Sequence, residues 1–299
     1  MQKVTVENRI RQSRQDRIFD AFNLALMILL LFIFIWPLWF VLIASFSDPM
    51  RVLNGEVLIL PVGFNLSAYK ELIRRGDIWL SYLNSIFYTV AGTALNMVFT
   101  VCAAYPLSRK TFVIRNFVMT FFLITMYFSG GLIPLYVLLR GLHLIDSRLC
   151  LILGGAISVY NMLIVRNYFM NSIPNALREA SMLDGANSAQ DLVHVVLPLS
   201  KPVLAVVTLY YAVGHWNDYY SALVYITSPE KYPLQLVLRD ILSNVTVSSE
   251  SASTIEDKVR LAQTLKYSSI IAAMIPVLML YPVIQRHFVK GVMIGAVKG

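Results

Sequence analysis

Residues 24–44 read L-A-L-M-I-L-L-L-F-I-F-I-W-P-L-W-F-V-L-I-A, an apolar run without a single charged side chain. The uncharged stretch around this run extends from residue 21 to residue 47. Because an α-helix rises ~1.5 Å per residue, roughly 20 such residues cross the ~30 Å hydrocarbon core of a bilayer. A helix buried in a soluble protein usually keeps a polar face, and this run has none. The sequence therefore predicts a membrane-spanning helix here.

The rest of the chain repeats this pattern. The stretches 78–108, 116–139, 149–165 and 267–285 carry no charge, and the apolar pattern of 202–217 continues past Asp218 to residue 226. Only 14% of the residues are charged and 57% are hydrophobic, whereas a soluble domain carries roughly 25% charged residues. The sequence thus predicts an all-α integral membrane protein with six transmembrane helices. Their expected bounds are about 22–46, 79–107, 116–139, 149–170, 202–226 and 266–288.

The formal net charge of +8 needs an explanation in a chain so poor in charge. Taken alone, it suggests nucleic acid or an anionic surface as a partner. Sorted by loop, however, the whole excess lies on the side that holds both termini, where Arg109, Lys110 and Arg115 flank a short connection. Lys and Arg are retained on the cytoplasmic side of membrane proteins. We therefore expect a cytoplasmic N-terminal segment 1–20, a membrane domain 21–290 and a cytoplasmic tail 291–299, and no nucleic-acid partner.

The longest predicted cytoplasmic loop, residues 171–200, has the pattern of two short helices joined by a turn. Ser172 and Pro174 are suited to start the first helix over 175–184, and Gly185 is suited to end it. Ser188 and Asp191 have capping-box spacing for the second helix. Leu197-Pro198 then predicts a bend before the fifth span. The pattern alone is equally compatible with a helix pair on the membrane surface and with a helix pair that docks on a partner. The apolar residues available for packing are Leu177, Met182, Leu183, Val193 and Val196.

The same loop carries a family signature. The stretch R-E-A-S-M-L-D-G-A at 178–186, followed by V-L-P at 196–198, resembles the E-A-A–x3–G–x9–I–x–L–P loop of ABC importer permeases. Ser181 stands where that pattern has a second Ala, and Val195 stands where Ile is usual. Neither departure changes size or helicity much, so the resemblance implies that this loop docks on an ATPase.

Other segments resemble one branch of that family. The D-G-A at 184–186 is the form common in carbohydrate importers, and G-H-W-N-D-Y-Y at 214–220 looks like their W-N segment. The tail at 291–299, G-V-M-I-G-A-V-K-G, resembles that of the maltose-type second permease subunit. Two further stretches resemble the lipoprotein-style or complex-saccharide branch, namely F-S-G-G-L-I-P-L-Y at 128–136 and K-Y-P-L-Q-L-V-L at 231–238. The chain is identified as a member of the carbohydrate ABC importer permeases, of the MalG-like kind.

The resemblance implies a type I ABC importer (MetI-like) permease fold and a role in saccharide import by alternating access. Implied partners are a second homologous permease, two ATPase subunits that bind ATP and Mg, an extracytoplasmic solute-binding protein, a saccharide, and the lipid bilayer. The chain itself has no Gly-Lys pair and hence no phosphate-binding loop, and its histidines lack metal-ligand spacing. We therefore expect no catalytic residue, no metal and no cofactor bound by this chain.

The expected site residues fall into three sets. The ATPase-coupling residues implied by the signature are Glu179, Ala180, Ser181, Asp184, Gly185, Ala186, Leu197 and Pro198. The implied ATPase-contacting tail residues are Gly295, Lys298 and Gly299. Polar and aromatic residues inside spans are candidates for the solute path, because polar groups at membrane depth face the interior of the bundle. These candidates are Asn84, Tyr88, Tyr127, Tyr160, Asn161, Trp216, Asn217 and Tyr220, and Asn96 and Tyr211 are further candidates.

Three alternatives to saccharide import by an ABC permease stay open at this point. An ABC permease for a non-sugar solute would carry the same cytoplasmic loop. A secondary transporter working without ATP would be expected to show internal repeats or intramembrane charge pairs, and neither is seen in the sequence. A membrane enzyme would need a clustered nucleophile or metal set. Co-purification with an ATPase subunit discriminates among these classes.

Overall fold

The chain is all-helical in the computed structural model, which describes residues 13–244 and 265–279, and no β-strand occurs in these two segments. The helices are α1 (Arg14–Ser45), α2 (Pro49–Leu53), α3 (Ser67–Arg74), α4 (Gly76–Ser108), α5 (Arg115–Tyr127), α6 (Leu132–Gly141), α7 (Arg148–Leu153), α8 (Val159–Asn171), α9 (Asn175–Leu183), α10 (Ser188–Leu199), α11 (Lys201–Asn217), α12 (Tyr220–Tyr225), α13 (Leu234–Asn244) and α14 (Leu265–Met279). The predicted helical class is thus confirmed for this part of the chain.

Two described helices, α1 and α4, are each long and apolar enough to cross a membrane unaided. They coincide with the predicted spans 22–46 and 79–107. Helix α1 begins at Arg14, earlier than its apolar run, because Ser13 and Asp16 form a capping box. Nearly all of its apolar side chains are exposed up to Ile43. The apolar surface of α1 is thus available to lipid or to another subunit.

The third, fourth and fifth predicted spans are not continuous helices. Helices α5 and α6 meet at 114°, and Gly131 between them has φ 87°, which favours glycine. Helices α7 and α8 are separated by 154–158, where Gly155 has φ 70°, and α11 and α12 are separated at Asp218. With each strongly bent pair taken as one span, up to four spans pass the test of length and composition among the described residues. Six spans therefore remain a prediction, and the end of the sixth lies outside the described residues.

The packed core is formed by α4, α8 and α11, with α10 at one end. Its fully buried side chains are Ala104, Met162, Val165, Phe169, Val196 and Val207. Val196 belongs to α10 and brings the predicted cytoplasmic loop into this core. The core therefore connects the loop to the helices that line the central polar cavity described below.

Candidate functional site

The loop 171–200 folds as the predicted helical hairpin, with α9 and α10 as its two arms. Gly185 lies between them with φ 82°, a backbone conformation that residues other than glycine rarely adopt. Its N–H donates to Met182 O at 3.1 Å, and the Ala186 N–H donates to Ser181 O at 2.9 Å. These two bonds close the end of α9, as the sequence predicts for Gly185.

Three details of the hairpin differ from the sequence prediction. The capping box is formed by Asn187 and Gln190, one residue before the predicted pair. Ser172 ends α8 and does not start α9, which begins after Pro174 without a side-chain cap. The chain stays helical through Pro198 and bends by 85° where α10 meets α11, near Ser200. A π-helical turn at Leu192–Val196 precedes Pro198 and accommodates the missing N–H of that residue.

One side of the hairpin is an exposed surface with apolar residues, which we call the docking face and define as Leu177, Glu179, Ala180, Met182 and Leu183. All five are exposed, and Leu183 is 89% exposed. Of the remaining predicted coupling residues, Asp184, Gly185 and Pro198 are exposed, whereas Ser181, Ala186 and Leu197 are half-buried. Val193 is exposed as well. Of the five apolar residues predicted to be available for packing, Val196 is buried within the chain, and the other four are exposed.

The opposite side of the hairpin is fixed to the bundle by charged groups. Arg178 is buried and donates from Nη2 to the carbonyl of Phe169 in the last turn of α8 at 2.6 Å, where a cation also suits the helix dipole. Burial lowers the pKa of Arg178, and the neighbouring Arg109 lowers it further. Asp191 is buried and pairs with Arg109 at the end of α4. The hairpin is thus attached to α8 and α4 on one side and exposes the docking face on the other.

A polar cavity of about 450 Å³ lies where α7 and α8 are separated. It is lined by Asn96, Gly154, Gly155, Ser158, Asn161, Tyr210, Tyr211, Gly214, His215, Asn217, Asp218 and Ser221. None of these lining residues is Lys or Arg. A larger cavity of about 510 Å³ between α11, α13 and α14 has a more apolar lining and shares Asn217. The smaller cavity is the better candidate for a polar solute, because it presents amide, hydroxyl and imidazole groups.

Side chains from α4 and α11 satisfy the non-helical backbone beside this polar cavity. Asn96 donates from Nδ2 to Gly155 O and Ala156 O, both at 2.9 Å. Tyr211 accepts from the Ser158 N–H at 3.1 Å. Because the Asn96 amide nitrogen is occupied as a donor, its Oδ1 accepts from His215 Nε2 at 2.6 Å. Inside a membrane, irregular backbone is tolerated only where protein or a water-filled cavity satisfies it. Asn96 and Tyr211 bond this backbone directly, and His215 bonds Asn96.

The predicted solute-path residues separate into groups. Asn161 and Asn217 line the polar cavity. Asn84 and Tyr88 are buried and bond the backbone of residues 230–232, so they hold the loop after α12 in place. Trp216 is buried and donates to Ala273 O of α14 at 3.1 Å. The exposed aromatic candidates are Tyr127, Tyr160 and Tyr220. The tail residues Gly295, Lys298 and Gly299 lie outside the described residues.

Sequence reasoning missed two of the residues that organise these sites. Asp191 was interpreted as a helix cap, and His215 was considered only as a metal ligand. Among the described residues no group of His, Cys, Asp or Glu has metal-ligand geometry. The glycine at position 92 is the sequence signal that points to His215, because any larger residue there would place its Cβ 2.4 Å from His215 Nε2. This signal can be interpreted only when the structure shows that α11, which carries His215, packs against α4.

Asp146 forms a clamp that joins the loop before α7 to the loop after α12. Asp146 accepts from the Ser228 hydroxyl at 2.5 Å and from Lys231 Nζ at 3.0 Å, and its carboxylate also accepts the N–H groups of Thr227 and Ser228. The Ser228 hydroxyl bond and then the Ser228 N–H bond are the main causes that lower the pKa of Asp146. A carboxylate whose pKa falls on folding stabilises the fold above its unfolded pKa, and this contribution is lost as the pH falls through the folded value.

We therefore expect the clamp to persist at pH 4, near the ordinary aspartate pKa of about 3.9. Asp146→Ala should raise hydrogen exchange at the Thr227 and Ser228 amides at both pH 4 and pH 7, because both amides lose their acceptor. Exchange mass spectrometry of the purified chain measures this. Asp240→Ala, which removes a half-buried carboxylate of α13 that pairs with Arg239, is the control. Unchanged exchange in Asp146→Ala would contradict the clamp.

Comparisons with known proteins agree with this geometry. Residues 96–294 match the family model described as "Binding-protein-dependent transport system inner membrane component". The chain is 38% identical to the polygalacturonan/rhamnogalacturonan transport system permease protein YtcP of Bacillus subtilis, over 95% of this chain and 100% of that protein. It is 36% identical to LplC of the same organism, over 97% of this chain and 98% of that protein.

A solved structure has the same fold. A crystal structure of a bacterial ABC transporter involved in the import of the acidic polysaccharide alginate contains a chain that is 36% identical, with a TM-score of 0.85, and the match covers 93% of this chain and 99% of that one. The family match includes the hairpin, the polar cavity and α14. The chain belongs to the family of binding-protein-dependent transport system inner membrane components.

Proposed function

We propose that the chain is a permease subunit of an ATP-driven importer of saccharides, and that its preferred substrate is an oligosaccharide. An extracytoplasmic binding protein delivers the saccharide to the permease. The names of its relatives support a saccharide: YtcP is a polygalacturonan/rhamnogalacturonan permease and GanQ, 30% identical, is a galactooligosaccharide permease. In this proposal the chain has six spans with both termini in the cytoplasm. It pairs with a second, homologous permease and with two ATPase subunits, which hold ATP and Mg.

The observation that carries the proposal is the docking face on the hairpin. Leu183 and Met182 are exposed on a short helix whose other side is buried against the bundle. A protein-protein interface concentrates its binding energy in a few apolar anchors, and a helix end with Glu179 beside them can also meet a basic partner. Glu179, Ala180, Asp184, Gly185 and Ala186 would contact the ATPase, with Leu197 and Pro198 at the base of the hairpin.

The path from the hairpin to the polar cavity is direct. Helix α10 continues into α11 across the bend near Ser200, and α11 carries Tyr211, His215 and Asn217 along the cavity wall. ATP binding in the partner subunits would close their dimer and move the hairpin. Helix α11 would then change its position against α4, opening the cavity to one side of the membrane at a time. This is alternating access, with ATP hydrolysed by the partners and not by this chain.

The solute path would run past the polar cavity. Its amides and hydroxyls, including Asn161, Asn217 and Ser221, suit the hydroxyl groups of a sugar. Of the other candidates, Tyr127, Tyr160 and Tyr220 are exposed and available to solute, lipid or the second permease. Asn84, Tyr88 and Trp216 would act indirectly, by fixing α14 and the loop after α12. The tail, with Gly295, Lys298 and Gly299, would reach the ATPase interface.

Reconstitution of the four-subunit complex in proteoliposomes tests the proposal. Wild-type complex with its binding protein should import a labelled oligosaccharide only with ATP, and the chain should co-purify with the ATPase. Gly185→Asp places a side chain at φ 82°, which costs about 1–2 kcal/mol. Because this strain falls in the turn between α9 and α10, it should displace the docking face, and uptake should fall about tenfold while the chain still inserts. Gly55→Asp, at φ 73° in an outer loop, is the matched control. Uptake that is independent of ATP in the wild type would refute the proposal.

A further inference from the structure

Asp191 is a buried carboxylate that connects three segments of the chain. It is 1% exposed. Its Oδ1 accepts from the Ser181 hydroxyl of α9 at 3.0 Å, and its Oδ2 accepts from the Tyr105 hydroxyl of α4 at 2.8 Å. The same Oδ2 pairs with the Arg109 guanidinium just after α4. Asp191 itself belongs to α10, so one side chain links both arms of the hairpin to α4.

The cationic side of this joint is also fixed in position. Arg109 donates from Nη2 to the Tyr105 hydroxyl at 2.6 Å, and its guanidinium carbon lies 4.8 Å from the centroid of the Tyr105 ring. The Arg109 side chain is only 13% exposed. A buried carboxylate and a mostly buried guanidinium hold each other in place, because separating them would leave a charge without its partner away from water. The end of α4 and the hairpin are therefore joined by a bond that resists sliding.

We propose that Asp191 is a positioning residue that makes the hairpin and the cytoplasmic end of α4 move as one body. This inference rests on the proposed docking of the hairpin on an ATPase. The covalent paths from the hairpin run through residues 172–174 into α8 and through α10 into α11. The Asp191 joint adds α4, which carries Asn96 and therefore contacts the other wall of the polar cavity. Movement of the hairpin would reach both walls of the cavity together.

The joint also gives a role to the position where the chain departs from the family signature. Ser181 stands where that pattern has Ala, and an alanine has no hydroxyl to donate to Asp191. The Ser181 hydroxyl lies 2.9 Å from Arg178 O and 3.0 Å from Asp191 Oδ1. Its single proton is shared between these two acceptors, and the contact with Asp191 is a link between α9 and α10 that the usual residue cannot make. The joint is expected only in permeases that combine this hydroxyl with an acidic residue at the position of Asp191.

The test measures transport and ATP hydrolysis separately, in the complete complex with its binding protein. Asp191→Asn should keep ATPase co-purification and stimulated hydrolysis close to the wild-type level. Sugar imported per ATP hydrolysed should fall, by about five- to tenfold for Asp191→Asn and less for Ser181→Ala, since coupling residues change coupling by this order. Ser188→Ala, on the exposed start of α10, should change neither quantity.

Two results would overturn the inference. One is an unchanged ratio of sugar to ATP in Asp191→Asn, and the other is a parallel loss of complex assembly, hydrolysis and uptake, which indicates a folding role alone. Failure of the proposed function is distinct, because the wild-type chain would then not associate with an ATPase at all.

A second measurement follows the movement itself. Spin labels at Val113, just after α4, and at Ala189 in α10 report the distance between the two elements, in a chain with Cys102 and Cys150 replaced by alanine. Both labelled positions are exposed. In the wild-type complex this distance should be the same with and without ATP. In Asp191→Asn it should change between the two states, and a distance that changes already in the wild type would contradict the rigid joint.

Discussion

Leu183→Asp is expected to abolish ATP-dependent uptake without unfolding the chain. Leu183 is 89% exposed at the end of α9, so its substitution leaves the packing of this chain unchanged. In the proposed complex the same side chain is buried against the ATPase. An anchor of this kind contributes about 2–4 kcal/mol to an interface, which corresponds to a 30- to 1,000-fold loss of affinity when it is replaced by a charge. Uptake by the reconstituted complex and co-purification of the ATPase measure both effects.

Val113→Asp is the matched control for this substitution. Val113 is 93% exposed and lies in the connection between α4 and α5, on the same predicted side of the membrane as the hairpin. It introduces the same charge in place of an equally exposed apolar side chain, outside the docking face. Uptake should be preserved in Val113→Asp. Wild-type co-purification of the ATPase with Leu183→Asp would show that the hairpin docks elsewhere or not at all.

The hairpin shows how much the sequence could predict. Gly185 was identifiable because a glycine after a short helix predicts a positive φ, and the value found is 82°. The capping box was placed one residue late, because Ser188–Asp191 and Asn187–Gln190 satisfy the same spacing rule. Only the structure shows that Asp191 turns inward, since its partners Tyr105 and Arg109 lie more than 80 residues earlier in the chain.

The long apolar helices also combine features that the sequence could predict with features that only the structure shows. The positions of α1 and α4 follow from their uncharged runs, because hydropathy reports which side chains avoid water, although α1 starts earlier, at its capping box. Hydropathy does not report the backbone, so it does not predict the breaks at Gly155 and at Asp218 inside apolar stretches. Asn84 and Tyr88 were selected as solute contacts by residue type and depth. Their bonds to the backbone of residues 230–232 join positions about 145 residues apart, which periodicity does not reveal.

Gly92→Ala is expected to destabilise the chain, although alanine is the better helix former. Replacing an interior helical glycine by alanine usually stabilises by about 0.5–1 kcal/mol. At Gly92, however, the new Cβ would lie 2.4 Å from His215 Nε2 and 2.5 Å from its Cε1. The imidazole must move, and overpacking of this kind costs about 1–3 kcal/mol. Thermal unfolding of the purified chain should therefore begin at a lower temperature in Gly92→Ala.

Gly214→Ala in α11 provides the opposite expectation within the same part of the bundle. A Cβ added there has no heavy atom within 4 Å, so only the helix propensity changes and stability should stay equal or rise. A loss of stability at both glycines would mean that helix flexibility, and not the space for His215, explains the result at Gly92.

The Gly92 variant also has a consequence for transport. His215 Nε2 donates to Asn96 Oδ1 at 2.6 Å, and Asn96 in turn holds the carbonyls of Gly155 and Ala156 at 2.9 Å. Displacing the imidazole leaves the Asn96 oxygen without this donor, and an unsatisfied buried polar group costs about 1–3 kcal/mol. The turn beside the polar cavity would then lose its fixed position, so uptake should fall in Gly92→Ala even at temperatures where the chain is folded. Normal uptake by folded Gly92→Ala protein would place the solute path away from this cavity.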